Sequence, residues 1–150
     1  MDKIVYKYLG DDLMTEIEKK KEYLNSYKKK VRKLVSLRNQ EKALRIELEN
    51  PKAIEYTDMP SSNIQTDLSD KMVSLERLQD KIQQKIEEVI LLKTDIEDKV
   101  TDMEDGTESD IIRKRYIEFK DWTIICVEIG YSWKQTHRIH SNALENFKMT

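Results

Sequence analysis

Three glycines, two prolines and one cysteine are all that the 150 residues carry of the types that interrupt or cross-link a chain. A lone Cys forms no intrachain disulfide and builds no cysteine metal set, which points to a reducing compartment. So few Gly and Pro leave few places where a helix must stop. Aromatic residues are only 7%, and the 38% of hydrophobic residues is matched by 37% charged. That balance disfavours a thick, sheet-based core and favours long amphipathic helices with wet outer faces, hence an all-α protein. No run approaches about 18 consecutive apolar residues, and the opening "MDKIVYKYLGDD" lacks the apolar stretch of a signal peptide. A cytoplasmic protein without a membrane segment is therefore expected.

The formal net charge of -2 is unevenly spread. Residues 1–60 hold 14 Lys/Arg against 11 Asp/Glu, residues 61–110 hold 6 against 14, and residues 111–150 hold 7 against 4. Attraction for phosphate depends on the local patch, so the basic C-terminal segment matters more than the whole-chain value. From Asp12 to about Glu49, Leu13, Ile17, Leu24, Tyr27, Val31 and Leu34 recur at helical spacing, and Leu37, Leu44 and Leu48 continue the stripe on a neighbouring face. Asn50-Pro51 ends this rod. "PKAIEYTDMPSSNIQ", residues 51–65, contains both prolines and reads as a connector that Ile54, Tyr56 and Met59 would anchor.

A second rod runs from Leu68 through Met72, Leu75, Gln79, Ile82, Ile86, Val89, Lys93, Ile96 and Val100 to Met103, roughly 50 Å if helical throughout at about 1.5 Å per residue. Two rods and one connector predict a long antiparallel helical hairpin over 1–104, with the connector at 50–66. The basic run Lys28, Lys29, Lys30, Arg32 and Lys33 would lie near Glu87, Glu88, Asp95, Glu97 and Asp98, which selects register more than it stabilises. Val73, Leu78, Ile90, Leu91 and Leu92 widen the apolar stripe beyond what one partner covers, pointing to a homodimer, a higher homo-oligomer, or docking of the C-terminal module.

"DGTESD", residues 105–110, predicts a break at Gly106 with Thr107 or Ser109 capping the next helix. Three short helices follow at about 109–118, 121–129 and 133–147, their apolar faces set by Ile111, Ile112, Tyr116 and Ile117, by Trp122, Ile125, Cys126 and Ile129, and by Ile139, Ala143, Leu144 and Phe147. A small trihelical domain over 107–150 is expected. In "EIGYSW", Gly130 suits the left-handed end of a helix and Ser132 the cap of the next. This fits the turn of a helix-turn-helix, whose second helix enters the major groove. Trp133, Lys134, Gln135, His137, Arg138, Ser141 and Asn142 would then face outward, with side chains able to neutralise phosphate or pair with base edges.

"IIRKRYIEFKDWTIICVEIGYSWKQTHRIHSNALENF" resembles region four of bacterial sigma factors, and more closely phage transcription regulators of the RinA/ArpU kind. Arg115, Tyr116, Ile117, Glu118, Trp122, Ile125, Gly130, Tyr131, Ser132, Gln135, Arg138, Ile139, His140, Ala143 and Leu144 carry the likeness, within about 37 of the 150 residues. The resemblance implies a phage- or prophage-encoded regulator in the bacterial cytoplasm, associated with the nucleoid. It would bind double-stranded promoter DNA, activate late genes and touch RNA polymerase. Lys134, Gln135, His137 and Arg138 become base-reading or groove-lining candidates, Ser132 and Asn142 flank them, and Arg113, Arg115 and Lys120 become phosphate candidates. Phe119-Lys120 departs from a usual turn Gly, Thr136 from a larger apolar residue and Trp133 from a basic one. Ile124 and Val127 stand where charge is usual and suggest a partner surface.

Two other functions fit the same pattern. A small terminase subunit also combines a DNA-recognising helical domain with an oligomerising coiled coil, and a protein-binding adaptor would use Ile124, Val127 and Trp133 without DNA. His137 and His140 stand three apart, a spacing that can chelate metal, but no further ligands complete a set, and a structural hydrogen bond is expected at His140. Cys126 and Trp122 read as core. No Gly-rich loop or apolar pocket perturbs the many carboxylates, so neither an enzyme nor a bound cofactor or metal is expected.

Overall fold

In the computed structural model the backbone is described for residues 2–50 and 62–150, and side chains for 15–50 and 67–150. Leu13 and the connector anchors Ile54, Tyr56 and Met59 lie outside these side chains. Every regular element among the described residues is helical: α1 (Asp2–Glu49), α2 (Ser62–Thr101), α3 (Gly106–Ile112) leading into a π-helical segment (Arg113–Ile117), α4 (Trp122–Ile129) and α5 (Trp133–Asn146). Both long helices begin earlier than their apolar stripes. α1 runs through Gly10, since one glycine costs a helix only about 1 kcal/mol, and α2 takes in Ser62–Gln65 of the expected connector. Contacts divide the chain into two compact units, Lys30–Val89 and the pair of segments Met1–Lys29 and Ile90–Thr150.

In the Lys30–Val89 unit, α1 and α2 pack antiparallel. Lys30 pairs with Glu88 at 2.9 Å and Glu47 with Lys71 at 3.9 Å, so position along one helix rises as the other falls. The seam is thin. Leu37 and Ile82 are buried, whereas Val31, Leu34, Leu44, Leu48, Leu75, Leu78, Ile86 and Val89 are half-covered. Val35, Ile46, Leu68, Met72 and Val73 stay exposed, which is what a stripe wider than one partner produces.

The second unit has the thicker core. Leu24 and Tyr27 of α1, Ile96 and Val100 of α2, Ile111, Ile112 and Tyr116, Ile125 of α4, and Ala143, Leu144 and Phe147 are all buried. The C-terminal helices do not close on themselves alone. Some forty residues bury too small a fraction of their surface to be independently stable, and the ends of the long helices supply the missing apolar area. Tyr23 stacks toward Phe147 with ring centroids 6.2 Å apart, Tyr27 toward Phe119 at 5.4 Å, and Lys20 donates to the carbonyls of Leu144 and Glu145 at 2.9 Å each. These last bonds satisfy carbonyls that the end of α5 leaves without helical partners. The Tyr23 hydroxyl and Lys99 both bond Asp95, holding its carboxyl below the usual range, with Lys99 the larger influence.

Two local expectations are corrected. Gly106 is the first residue of α3 and not a break, and neither Thr107 nor Ser109 is the cap: Asp105 Oδ1 accepts from the Glu108 amide at 2.9 Å. Asp caps as well as Ser or Thr, and Asp105 is the carboxylate standing at the right position. The helix after it does not stay α to residue 118 either. The Glu118 amide bonds the Arg113 carbonyl at 3.0 Å, five residues back, and the chain leaves through Phe119 at φ 58°. A left-handed phenylalanine is costly, and its ring on Tyr27, with Lys28 Nζ 5.5 Å from its centroid, offsets that cost.

Truncating Leu24 to Ala removes a fully buried side chain at the junction of α1 with the C-terminal helices and should cost about 2–5 kcal/mol. Denaturant unfolding followed by circular dichroism measures this, and a loss under about 0.5 kcal/mol, the range of ordinary surface substitutions, would refute the shared core.

Candidate nucleic-acid interface

The turn between α4 and α5 is built from two residues. Gly130 ends α4 at φ 74° and ψ 26°, with its amide bonded to the Cys126 carbonyl at 3.0 Å. A Cβ there would meet nothing within 4 Å, so backbone conformation and not space requires glycine. Ser132 Oγ then accepts from the Gln135 amide at 3.2 Å and starts α5. Both roles expected of the "GYS" turn are therefore present.

α5 is strongly two-faced. Thr136, His140, Ala143 and Leu144 are buried, Ile139 is half-buried, and Lys134, Gln135, Arg138, Ser141 and Asn142 are exposed. Lys134, Arg138 and Asn142 make no side-chain hydrogen bond or ion pair among the described residues, while Gln135 contacts only Ser132, at 3.3 Å. Glu145 is exposed farther along the helix. Trp133 is 57% exposed, and its ring centroid lies 4.6 Å from that of His137.

The structure does not bring His137 to this outer face. Its ring sits half-buried between Trp133 and Trp122, 4.4 Å from the latter, and its Nε2 is buried without a partner. Thr136 Oγ1 is likewise buried and unpartnered, a hydroxyl standing where the helix packs inward. The three phosphate candidates are engaged within the domain. Arg113 pairs with Asp110 at 3.3 Å, and Arg115 stacks 5.0 Å from the Trp122 ring centroid and donates to the Lys120 carbonyl at 3.1 Å. Lys120 bonds Glu118 and Glu128, both at 2.8 Å, and these carboxylates push its ammonium pKa up, Glu118 foremost. Lys114 also bonds Glu128, at 2.7 Å, so one carboxylate, held below its usual pKa by Lys114 and then Lys120, bridges two lysines.

Behind this surface the Tyr116 hydroxyl meets His140 Nε2 at 3.0 Å, the structural hydrogen bond expected at His140. Burial pushes the Tyr116 phenol up to about 12. The same burial, reinforced by Lys21, His137 and Arg115, pulls His140 down to about 4, so it is neutral near pH 7. Trp122 is half-buried beside both imidazoles, and Cys126 is half-buried in α4. Ile124, Val127 and Tyr131 are 49%, 79% and 42% exposed, adding Tyr131 to the expected apolar pair. The bridging role of Glu128 was also missed in the sequence. Its eight-residue separation from Lys120 crosses the turn before α4, where helical spacing rules do not reach. No protein-family model, curated protein or solved structure matches the chain.

Because His140 binds its proton less well folded than unfolded, its neutral burial contributes stability above pH 6.5 that is lost as pH falls from about 6.5 towards about 4. The full shift corresponds to on the order of 3 kcal/mol. Thermal melts across this range should show the loss, and His140→Gln should flatten it. An unchanged slope in the variant would reassign the effect to carboxylates.

Proposed function

We propose that this protein binds double-stranded DNA through the outer face of α5 and acts as a transcription regulator of the phage kind that its C-terminal residues resemble. The observation that carries this reading is a contrast of cations. Lys114, Lys120 and Arg113 are paired with carboxylates within the domain and Arg115 spends one donor on a carbonyl beside Trp122, whereas Lys134 and Arg138 stand in the first two turns of α5 without partners among the described residues. They share their surface with Gln135 and Asn142, which can read base edges, behind a tight left-handed turn and a serine cap that leave the helix start facing outward. Activation also requires contact with RNA polymerase. Ile124, Val127 and Tyr131 supply an apolar patch for it, and a protein-binding adaptor would use the same patch without DNA. Exposed Val35, Ile46, Leu68, Met72 and Val73 support self-association through the long helices, which would present two α5 faces to two half-sites.

Lys134→Ala with Arg138→Ala should lower affinity for duplex DNA by at least about tenfold and reduce the salt dependence by about two phosphate contacts. Fluorescence anisotropy at several salt concentrations, on fragments first retained from the encoding genome, measures both. A folded double mutant with unchanged affinity would remove α5 as the reading helix. Enrichment at a packaging locus instead of a promoter would point to a terminase subunit.

Glu128→Gln should act in the opposite direction. Freeing Lys114 and Lys120 from their shared carboxylate should strengthen nonspecific binding and steepen its salt slope, as read by the same titration. Weaker binding in the variant would mean that Glu128 positions the domain more than it masks charge.

A further inference from the structure

Beside the outer face of α5 lies an open cavity of about 390 Å³, wholly within the unit that contains the C-terminal helices. Lys21 and Asn25 of α1, Arg115 of the π-helical segment, and His137, His140 and Ser141 of α5 converge on it. Trp122 and Tyr116 form its aromatic wall. No carboxylate lines it, although Asp and Glu make up 29 of the chain's 150 residues. Both histidines of the protein do.

The polar groups are under-used. Neither Lys21 nor Asn25 makes a side-chain hydrogen bond or ion pair among the described residues, and His137 Nε2 is buried without a partner. Arg115 spends one guanidinium nitrogen on the Lys120 carbonyl while its plane rests near Trp122, leaving further N–H donors. Ser141 donates to the His137 carbonyl at 3.1 Å, so its oxygen retains lone pairs but no free proton. The charges that reach His140 from around the cavity, Lys21, His137 and Arg115, all disfavour a further positive charge. A bound anion would relieve that field.

We propose that this cavity is an oxyanion pocket that takes a phosphate-bearing ligand, with Lys21 and Arg115 as its cationic clamp and the Asn25 amide as a neutral donor. Arg and Lys together suit phosphate, the one as a planar fork and the other as a mobile point charge. The volume exceeds that of a lone phosphate and leaves room for the group that carries it. The phosphate has two sources, a free nucleotide-sized metabolite or the backbone of DNA lying on α5. The proposal goes beyond DNA recognition and does not rest on it, because the small-ligand experiment needs no duplex.

With only two histidines, proton NMR of the full chain gives two imidazole Cε1–H signals to follow against pH. Inorganic phosphate, adenosine monophosphate and a short duplex serve as probes, each against sodium chloride at equal ionic strength. Saturable binding that moves the imidazole signals and raises the apparent pKa of His140 is expected. Lys21→Ala should weaken it by about tenfold with an unchanged thermal midpoint, since Lys21 is exposed. Arg115→Gln should weaken it similarly; should that variant melt earlier, Lys21→Ala carries the test. A response to either small phosphate identifies a free ligand, and a response to duplex alone, lost in Lys21→Ala, identifies the DNA backbone. No saturable shift with any probe, or equal shifts in Lys21→Ala and the parent chain, would overturn the proposal.

Discussion

The face of α1 that carries Tyr23, Leu24 and Tyr27 holds the C-terminal half of this protein together. A trihelical module of some forty residues has too little interior to be stable alone. Leu24 and Tyr27 enter its core, Tyr23 reaches Phe147 and Asp95, and Lys20 closes the end of α5. The position of the outer face of α5 therefore follows from a helix more than a hundred residues earlier in the chain. The same helix contributes Lys21 and Asn25 to the cavity, so one element supports both the candidate DNA face and the candidate anion pocket.

Electrostatics on this unit are arranged by pairing and not by total charge. Arg113, Lys114 and Lys120 are taken up by carboxylates and Arg115 gives one donor to a carbonyl beside an indole ring, while Lys134 and Arg138 on α5 and Lys21 at the cavity rim have no hydrogen-bond or ion-pair partner among the described residues. Exposed pairs of this kind contribute little to stability. Their effect is to confine where positive potential is available, which is a matter of specificity. A chain with a formal charge of -2 can thus carry a local surface suited to phosphate.

Much of the architecture was legible in the residues because helices obey a short period. The stripe from Leu24 to Leu48, the four-three spacing from Leu75 to Val100, the left-handed Gly130 and the Ser132 cap all depend on neighbours within one or two turns, and each recurs in the structure. What was not legible depends on distant or competing partners. Asp105 displaced Thr107 and Ser109 as a cap because three residue types compete for one role. His137, placed outward by spacing alone, is drawn between two tryptophans, and Arg115 and Lys120 find partners across a turn. The cavity joins α1 to α5 and has no linear signature. Lys134 and Arg138, free of partners among the described residues, mark the outer face of α5 on structural grounds alone.

Phe119 illustrates how a single position can be held by two demands that no ordinary residue meets together. Its backbone conformation favours glycine, while its ring covers Tyr27 and receives Lys28. Substitution tolerance there is consequently not a matter of size or hydrophobicity alone. Glycine would relax the main chain and uncover Tyr27, leucine would keep some cover and retain the strain, and a β-branched residue would fail on both counts. The corner between the π-helical segment and α4 is thus a narrow passage in sequence space, and variants that drift through it would do so by changing residues 27 and 119 together.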